Sequence, residues 1–307
     1  MRFDRLPRSD RVEDRRGQGG GRGPVMRGGG IGIVTILVLV VVGWALGINP
    51  LYLIGGAEIL SRLGGGGQPQ QTEPAPAPDP KTAQKPTDQM QDFVAAVLGS
   101  TEAQWQEIFA RAGKNYRAPT LVMFSGAVRS ACGFAQAAMG PFYCPNDQKV
   151  YLDTSFFEDL ERRFRGCDPG SRNCQFAQAY VITHEVGHHV QNLLGILPRV
   201  QEMQRGMMGQ AEANQLQVRV ELQADCFAGV WAHHADEKWR VIEPGDVEAA
   251  MQTASAIGDD RLQRRTQGYV VPDAFTHGSS EQRVRWFTTG LKSGDVASCD
   301  TFQAQRL

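Results

Sequence analysis

Apolar residues recur at helical spacing over three stretches in the second half of the chain. These stretches cover residues 154–164, 176–194 and 209–239. Apolar positions three and four residues apart form one face of an α-helix. The pattern therefore predicts three helices here, and helical spacing continues almost to the C-terminus.

A mixed pattern precedes these helices. Helical spacing over residues 88–98 predicts a helix, and Gly99 and Ser100 after it predict its end. Thr101 and Gln104 have the spacing of a capping box, which predicts that a second helix starts there. Residues 120–126 and 149–153 are typical of strands, and residues 128–132 are an edge-strand candidate between them. Helices with one small sheet indicate the α+β class.

The first 30 residues have a different composition. They contain eight arginines, four acidic residues and few large apolar residues. Such a composition predicts a disordered basic tail, because little apolar surface can be buried. Residues 55–87 are rich in glycine and proline, which predicts an extended linker to a globular domain over residues 88–307.

A nearly continuous apolar run lies between the tail and the linker. Residues 31–48 would span roughly 27 Å as a helix, close to the hydrocarbon thickness of a bilayer, and residues 51–54 could extend it. No small-residue cleavage site follows, so residues 31–54 are predicted to be an uncleaved transmembrane signal anchor rather than a cleaved signal peptide. The preceding arginines would place residues 1–30 in the cytoplasm and residues 88–307 outside it, at a bacterial inner membrane.

Charge and cysteine content narrow the class of protein. The 32 basic and 33 acidic residues give a net charge of -1, which argues against nucleic acid as a partner. All six cysteines follow the apolar run, and an even number in an exported domain favours disulfides. Short loops favour Cys132–Cys144 and Cys167–Cys174, which leaves Cys226–Cys299. A buried free thiol at Cys226 is the alternative.

The chemistry is concentrated in the sequence His184-Glu185-Val186-Gly187-His188. Histidines four residues apart lie on one side of a helix, so both rings can bind one metal ion. Zinc accepts nitrogen ligands in tetrahedral geometry and leaves a position for water. Glu185 would then act as the general base on that water. His189 points about 100° away from His188 and is predicted to be a packed histidine.

Two acidic residues on the long helix complete the candidate site. Glu221 and Asp225 are four residues apart and share one face of the helix. A carboxylate close to apolar residues needs a partner, and a metal would provide one for Glu221. Asp225 could accept the free ring N–H of a ligating histidine. The alternative is a pair of solvated acids.

These two motifs together carry a family resemblance. The pattern H-E-x-x-H followed by E-x-x-x-D resembles gluzincin metallopeptidases, and the chain is more closely similar to the bacterial "putative neutral zinc metallopeptidase" family. That similarity includes Gly140-Pro141-Phe142-Tyr143-Cys144-Pro145, Tyr151-Leu152-Asp153 and the stretch from Glu221 to Gly229. The resemblance implies a zincin-like fold with His184, His188 and Glu221 as the zinc ligands, and it implies no particular substrate.

A second resemblance lies near the C-terminus. The segment from Thr276 to Val284 is similar to the H-P-S-x-x-x-R segment of some membrane gluzincins, with Gly278 in place of the proline. A capping box at Ser279 would put His277 just before a helix. There His277 could donate a hydrogen bond to a developing oxyanion, or it could be a structural loop histidine. Arg283 is predicted to be a structural ion-pair partner.

The sequence thus favours a membrane-anchored zinc endopeptidase that cleaves polypeptides outside the cytoplasm. Residues 128–132 would be the strand on which an extended peptide adds itself. A zinc-binding scaffold of the envelope and a zinc hydrolase of another substrate class are the alternatives. A structural zinc site usually has four protein ligands, and in such a site Glu185 would have no function. Both points argue against the scaffold.

Overall fold

The computed structural model describes residues 1–17, 88–163, 165–168, 171, 173–207 and 209–307. In this part of the chain the fold is mostly helical with two small sheets, in agreement with the α+β class. The helices are α1 (Gln89–Arg111), α2 (Ser155–Arg162), α3 (Cys174–Leu193), α4 (Ile196–Arg205), α5 (Gln210–Trp239), α6 (Asp246–Ala256), α7 (Asp259–Gln267) and α8 (Ser280–Ser293). Short 3-10 helices cover Phe3–Arg5, Ala137–Met139, Pro272–Ala274 and Val296–Cys299.

The strands of the larger sheet are β1 (Val12–Asp14), β2 (Thr120–Phe124), β5 (Phe142–Cys144) and β6 (Lys149–Asp153), in the order β1, β2, β6, β5. A separate two-stranded sheet is a hairpin of β3 (Ala127–Ser130) and β4 (Gly133–Gln136). Strands β1, β2 and β6 are parallel, whereas β5 is an antiparallel edge strand.

The third predicted strand is present as β3, but it belongs to the separate two-stranded sheet. Val122 lies opposite Tyr151, so β2 and β6 pair directly and leave no place for a strand between them. Four of the five residues in each of these strands are buried, as is typical of strands inside a parallel sheet. In β3, Val128 alone is buried, which fits a peripheral hairpin.

The N-terminal residues belong to the fold, and the prediction of a disordered tail is wrong for residues 1–17. Met1 and Leu6 are buried, and β1 pairs in parallel with β2. Some of the arginines that suggested a solvated tail have acidic partners. Arg8 donates two hydrogen bonds to Asp92, at 2.9 and 2.8 Å. Local charge pairing and strand pairing therefore order a segment whose composition alone indicates disorder.

The predicted anchor, residues 31–54, and the predicted linker, residues 55–87, lie outside the described residues. In the described part, no helix has both the length and the apolar character needed to cross a bilayer. Arg16 Nη1 lies 2.7 Å from Asp88 Oδ2, so the chain leaves and re-enters the fold at neighbouring points. Residues 1–17 and 88–307 are parts of one compact unit. Residues 1–17 therefore fold together with residues 88–307, and the location of both relative to a membrane stays a prediction.

Helix α1 continues through the predicted break at Gly99 and Ser100. A Cβ atom on Gly99 would lie 2.5 Å from the carbonyl oxygen of Pro7, so the glycine permits close contact with the N-terminal segment. Thr101 does not cap a new helix, because its hydroxyl donates to the Leu98 carbonyl at 2.7 Å. The small and polar residues here serve helix packing rather than helix termination.

Helices α3 and α5 form the centre of the core, and α8 packs closely across α5. Gly290 of α8 has no side chain, and a Cβ atom there would lie 1.9 Å from the carbonyl oxygen of Cys226. The structure contains the three expected disulfides, Cys132–Cys144, Cys167–Cys174 and Cys226–Cys299. The last one attaches the segment after α8 to the middle of α5.

Candidate metal centre

The two histidines of the H-E-x-x-H motif face helix α5 in a region where α3 and α5 pack closely. A Cβ atom on Gly187 would lie 3.0 Å from the carbonyl oxygen of Ala224. The glycine between the histidines therefore lets the two helix backbones come close together. Glu221, about one turn before Ala224, is thereby placed against His184 and His188.

Three donor atoms converge between these helices. The Nε2 atoms of His184 and His188 lie 3.2 and 3.4 Å from Glu221 Oε2. One ligand atom from each residue lies within 4.8 Å of the others. Two imidazole nitrogens and one carboxylate oxygen form a donor set that suits zinc. The residues predicted to be ligands are thus brought together with their free donor atoms facing one point.

His184 is oriented by a buried polar cluster. Its Nδ1 atom lies 2.8 Å from Asp225 Oδ1, the contact expected for a ligating histidine. Asp225 also accepts hydrogen bonds from Tyr180 at 2.6 Å and from Arg283 Nε at 2.8 Å. Arg283 is the ion-pair partner that the sequence indicated. Tyr180, four residues before His184, was missed, since its helical spacing also fits an ordinary core aromatic residue.

His188 has a different partner. Its Nδ1 atom lies 2.9 Å from the side-chain oxygen of Gln191, which is fully buried. Both histidines therefore engage Nδ1 with an acceptor and turn Nε2 towards Glu221. Gln191 was also missed, because a glutamine inside an apolar helix carries no distinctive sequence signal.

The charges of the site favour a cation at the convergence point. Burial lowers the pKa of His184, but the carboxylates of Asp225 and Glu221 outweigh burial and raise it to about 10. Burial raises the pKa of Glu221, yet the two histidines hold it well below its ordinary value. Asp225 is likewise kept ionised against burial, chiefly by Arg283. Ionised carboxylates around two ring nitrogens fit a divalent metal ion.

Glu185 follows the first histidine and lines the cavity in front of the three donor atoms. The cavity has a volume of about 540 Å³, and its walls include Tyr143, Phe156 and His277. This volume lies in the range of about 300–1,000 Å³ that is typical of ligand-binding clefts. Glu185 therefore lines the same cavity as His184, His188 and Glu221.

His277 also lines the cavity, from the loop before α8. Ser279 and Gln282 form the predicted capping box. The His277 side chain is 51 % exposed, and its Nδ1 atom lies 3.4 Å from Asp259 Oδ1. Burial lowers the pKa of His277, but Asp259 and Glu221 raise it above its ordinary value. The ring is therefore suited to donate a hydrogen bond to a negatively charged oxygen.

Asp259 was missed by sequence reasoning and holds the loop that carries His277. Its Oδ2 atom accepts the backbone N–H groups of Thr276, His277 and Gly278 at 2.7, 2.6 and 3.1 Å. The residue is eighteen positions away from His277 in the sequence, so no local pattern connects the two. The hydrogen bonds fix the position of His277 relative to the first residue of α7.

His189 is a packed histidine, as predicted. It is fully buried, with Nε2 2.6 Å from the Arg117 carbonyl and Nδ1 3.0 Å from the Tyr143 hydroxyl. Burial lowers its pKa to about 4, so the ring is neutral near pH 7. It takes no part in the donor set.

Comparisons with known proteins identify the family of this chain. A family model described as "Putative neutral zinc metallopeptidase" matches residues 1–302. The chain is 45% identical over 309 residues to "Uncharacterized protein YpfJ" of Escherichia coli, covering 98% of this chain and 99% of that protein. It is 44% identical over 223 residues to an uncharacterized protein of Mycobacterium tuberculosis, covering 70% of this chain and 71% of that protein.

No solved structure matches the chain, so the zincin-like fold stays a prediction. The family match extends from the N-terminal segment that carries β1, through the H-E-x-x-H motif, to the Cys226–Cys299 disulfide. This chain therefore belongs to the putative neutral zinc metallopeptidase family.

Proposed function

We propose that the protein is a zinc-dependent endopeptidase that hydrolyses peptide bonds of polypeptides. The observation that carries this proposal is the convergence of His184, His188 and Glu221 on one point, at the wall of a cavity that Glu185 also lines. In the described part of the chain, no fourth histidine, cysteine or acidic residue joins this group. Three protein ligands with an open position are typical of catalytic rather than structural zinc.

The residues around the donor set have distinct tasks. When bound by His184, His188 and Glu221, zinc lowers the pKa of water and polarises a substrate carbonyl. The Glu185 carboxylate accepts a proton from the attacking water and delivers it to the leaving nitrogen. His277 donates a hydrogen bond to the oxygen that gains negative charge during the attack.

The substrate would bind in an extended conformation along β5. This strand is the edge of the four-stranded sheet, and Phe142 and Tyr143 line the cavity. An extended peptide can add to such an edge by main-chain hydrogen bonds. The residues of β3, the strand favoured from the sequence, do not line the cavity. A substrate bound in this way is an unfolded or flexible stretch of polypeptide.

The proposed location is the outer side of a bacterial cytoplasmic membrane. Three disulfides in the domain support an oxidising compartment. The apolar sequence of residues 31–54 supports association with the membrane. Because β1 is part of the catalytic fold, the proposal puts residues 1–17 on the same outer side as residues 88–307.

The direct test measures zinc content and proteolysis on the same preparation of the full chain. We expect bound zinc, cleavage of an unstructured protein such as casein, and loss of cleavage when a chelator removes the metal. Restoring zinc should restore cleavage. A protein that binds zinc but cleaves none of several unfolded substrates would support the scaffold instead.

A further inference from the structure

A chain of buried hydrogen bonds connects His188 to the C-terminal segment. Gln191 accepts from His188 Nδ1 at 2.9 Å and donates from Nε2 to the side-chain oxygen of Gln223 at 3.0 Å. Gln223 in turn donates to the Cys299 carbonyl at 3.0 Å. Gln191 is 0% exposed and Gln223 is 6% exposed. Neither glutamine belongs to the proposed ligand set or to the catalytic groups.

Two backbone carbonyls determine which group donates and which accepts in each of these hydrogen bonds. A carbonyl oxygen only accepts, so the Cys299 carbonyl requires the NH₂ group of Gln223, and the side-chain oxygen of Gln223 faces Gln191. The Val220 carbonyl, 2.7 Å from Gln191 Nε2, requires the NH₂ group of Gln191 in the same way. The side-chain oxygen of Gln191 is then left for His188.

The direction of these bonds fixes the protonation of His188. With an oxygen facing Nδ1, that nitrogen must carry the proton, and the lone pair remains on Nε2. Rotating the Gln191 amide by 180° would set its oxygen against two acceptors, the Val220 carbonyl and Gln223 Oε1. The buried surroundings therefore select one orientation of the amide and one tautomer of the ring.

We propose that Gln191 and Gln223 are positioning residues that present Nε2 of His188 to the metal. The backbone carbonyls of Val220 and Cys299 hold the two side-chain amides in the required orientation. The inference rests on the proposed metal site. Cys299 is held against α5 by its disulfide to Cys226, three residues after Gln223. The first histidine is oriented by a carboxylate and the second by this pair of neutral amides.

The test compares zinc affinity of full-length variants by competition with a chromophoric chelator. Gln191→Ala should weaken zinc binding by roughly 10–100-fold, the range found when outer partners of ligating histidines are removed. Gln223→Ala should weaken it in the same direction but less, because Gln191 keeps its bond to Val220. Gln178→Ala is the matched control, since Gln178 is buried on the same helix and bonds to Glu161 instead.

Cobalt absorption and thermal unfolding separate positioning from a structural effect. A positioning role predicts an altered cobalt(II) spectrum in Gln191→Ala, whereas a structural role would lower only the melting temperature of the metal-free protein. If the alanine variant does not fold, the same measurements are made on Gln191→Met, which keeps the side-chain volume. Unchanged zinc affinity and cobalt spectrum in the folded Gln191 variant would overturn the inference. A parent protein that binds no zinc would instead overturn the proposed function.

Discussion

Each residue of the proposed donor set is held by a further buried or half-buried side chain. Asp225 orients His184, Gln191 orients His188, and Gln217 donates to Glu221 Oε1 at 2.9 Å. Such partners fix the direction of the donor atoms before a metal arrives. Substitution of a proposed ligand should therefore lower metal binding, whereas substitution of a catalytic residue that is not a ligand should change turnover alone.

Glu221→Ala should lower bound zinc well below one ion per chain. The substitution removes the carboxylate that faces both Nε2 atoms and leaves two imidazoles, which bind zinc more weakly than a complete donor set. Metal analysis after dialysis measures the effect. Glu212→Ala, in the exposed first turn of the same helix, is the control. Full zinc occupancy in Glu221→Ala would remove Glu221 from the ligand set.

His277→Ala distinguishes the two interpretations of the loop histidine. If the ring stabilises the oxyanion, turnover should fall on the order of 10²-fold, while zinc content stays unchanged. Steady-state cleavage of a peptide substrate by the full-length variant gives the ratio. Turnover close to that of the parent would show that His277 only supports the loop through Asp259.

The sequence located the chemistry of the site but not its supporting residues. His184, Glu185 and His188 were found because helical spacing encodes direction, and Asp225 because it lies one turn after Glu221. Tyr180 and Gln191 occupy the same helix face as the histidines, yet a tyrosine and a glutamine are common in any helix. Asp259 supports His277 through tertiary structure, which spacing along the chain does not reveal.

At the scale of elements, close helix contacts bring the site together. Helix α5 carries Glu221, and it is approached by α3 at Gly187 and by α8 at Gly290. Arg283, which holds Asp225, comes from α8, so the α5–α8 contact determines where this charge lies. A Cβ atom at Gly290 would overlap the backbone of α5, whereas one at Gly187 would make a tight contact with it.

Gly290→Ala should destabilise the folded protein by about 1–3 kcal/mol, the cost typical of overpacking. The added methyl group would lie 1.9 Å from the Cys226 carbonyl oxygen, which backbone movement must relieve. Denaturant unfolding of the metal-free protein measures the change. Gly206→Ala is the control, because its nearest contact would be an ordinary 3.6 Å. Equal stability of the two variants would show that α5 and α8 can move apart at Gly290 with little loss of stability.

The same contacts explain where element prediction failed. Gly99 and Ser100 resemble the end of a helix, but α1 continues because the glycine accommodates the backbone of residues 7–9. The bounds of α5 were predicted almost to the residue. Strand β3 pairs with β4 in a separate hairpin, and β4 was not predicted from the sequence.

At the scale of the whole molecule, the fold is assembled from two separate parts of the chain. The sequence suggested a domain that starts near residue 88, because the intervening apolar and proline-rich segments separate residues 1–17 from the rest. Strand pairing of β1 and the Arg16–Asp88 ion pair join these parts in one unit. Composition cannot reveal such a long-range strand pair.

This assembly predicts that both parts are accessible from the same side of the membrane. Asp10→Cys and Lys114→Cys place a thiol at an exposed position of each part. With an impermeant maleimide reagent on intact spheroplasts, both variants should be labelled. Labelling of one variant alone would contradict the pairing of β1 with β2 in the membrane-bound protein. Protection of both would contradict the proposed outer location.

The central claim is that Glu185 acts as the general base of a zinc peptidase. Glu185→Gln keeps the size of the side chain and removes its ability to take a proton, and Glu185 is not among the proposed ligands. Zinc content and thermal unfolding should therefore match the parent.

The decisive measurement is the turnover of an unstructured protein by zinc-loaded Glu185→Gln and by the parent. Turnover should fall by at least roughly 10²–10⁴-fold, the contribution of a positioned acid–base group. Glu212→Gln is the matched control and should retain full activity. A Glu185→Gln variant that binds zinc and cleaves as fast as the parent would contradict the account.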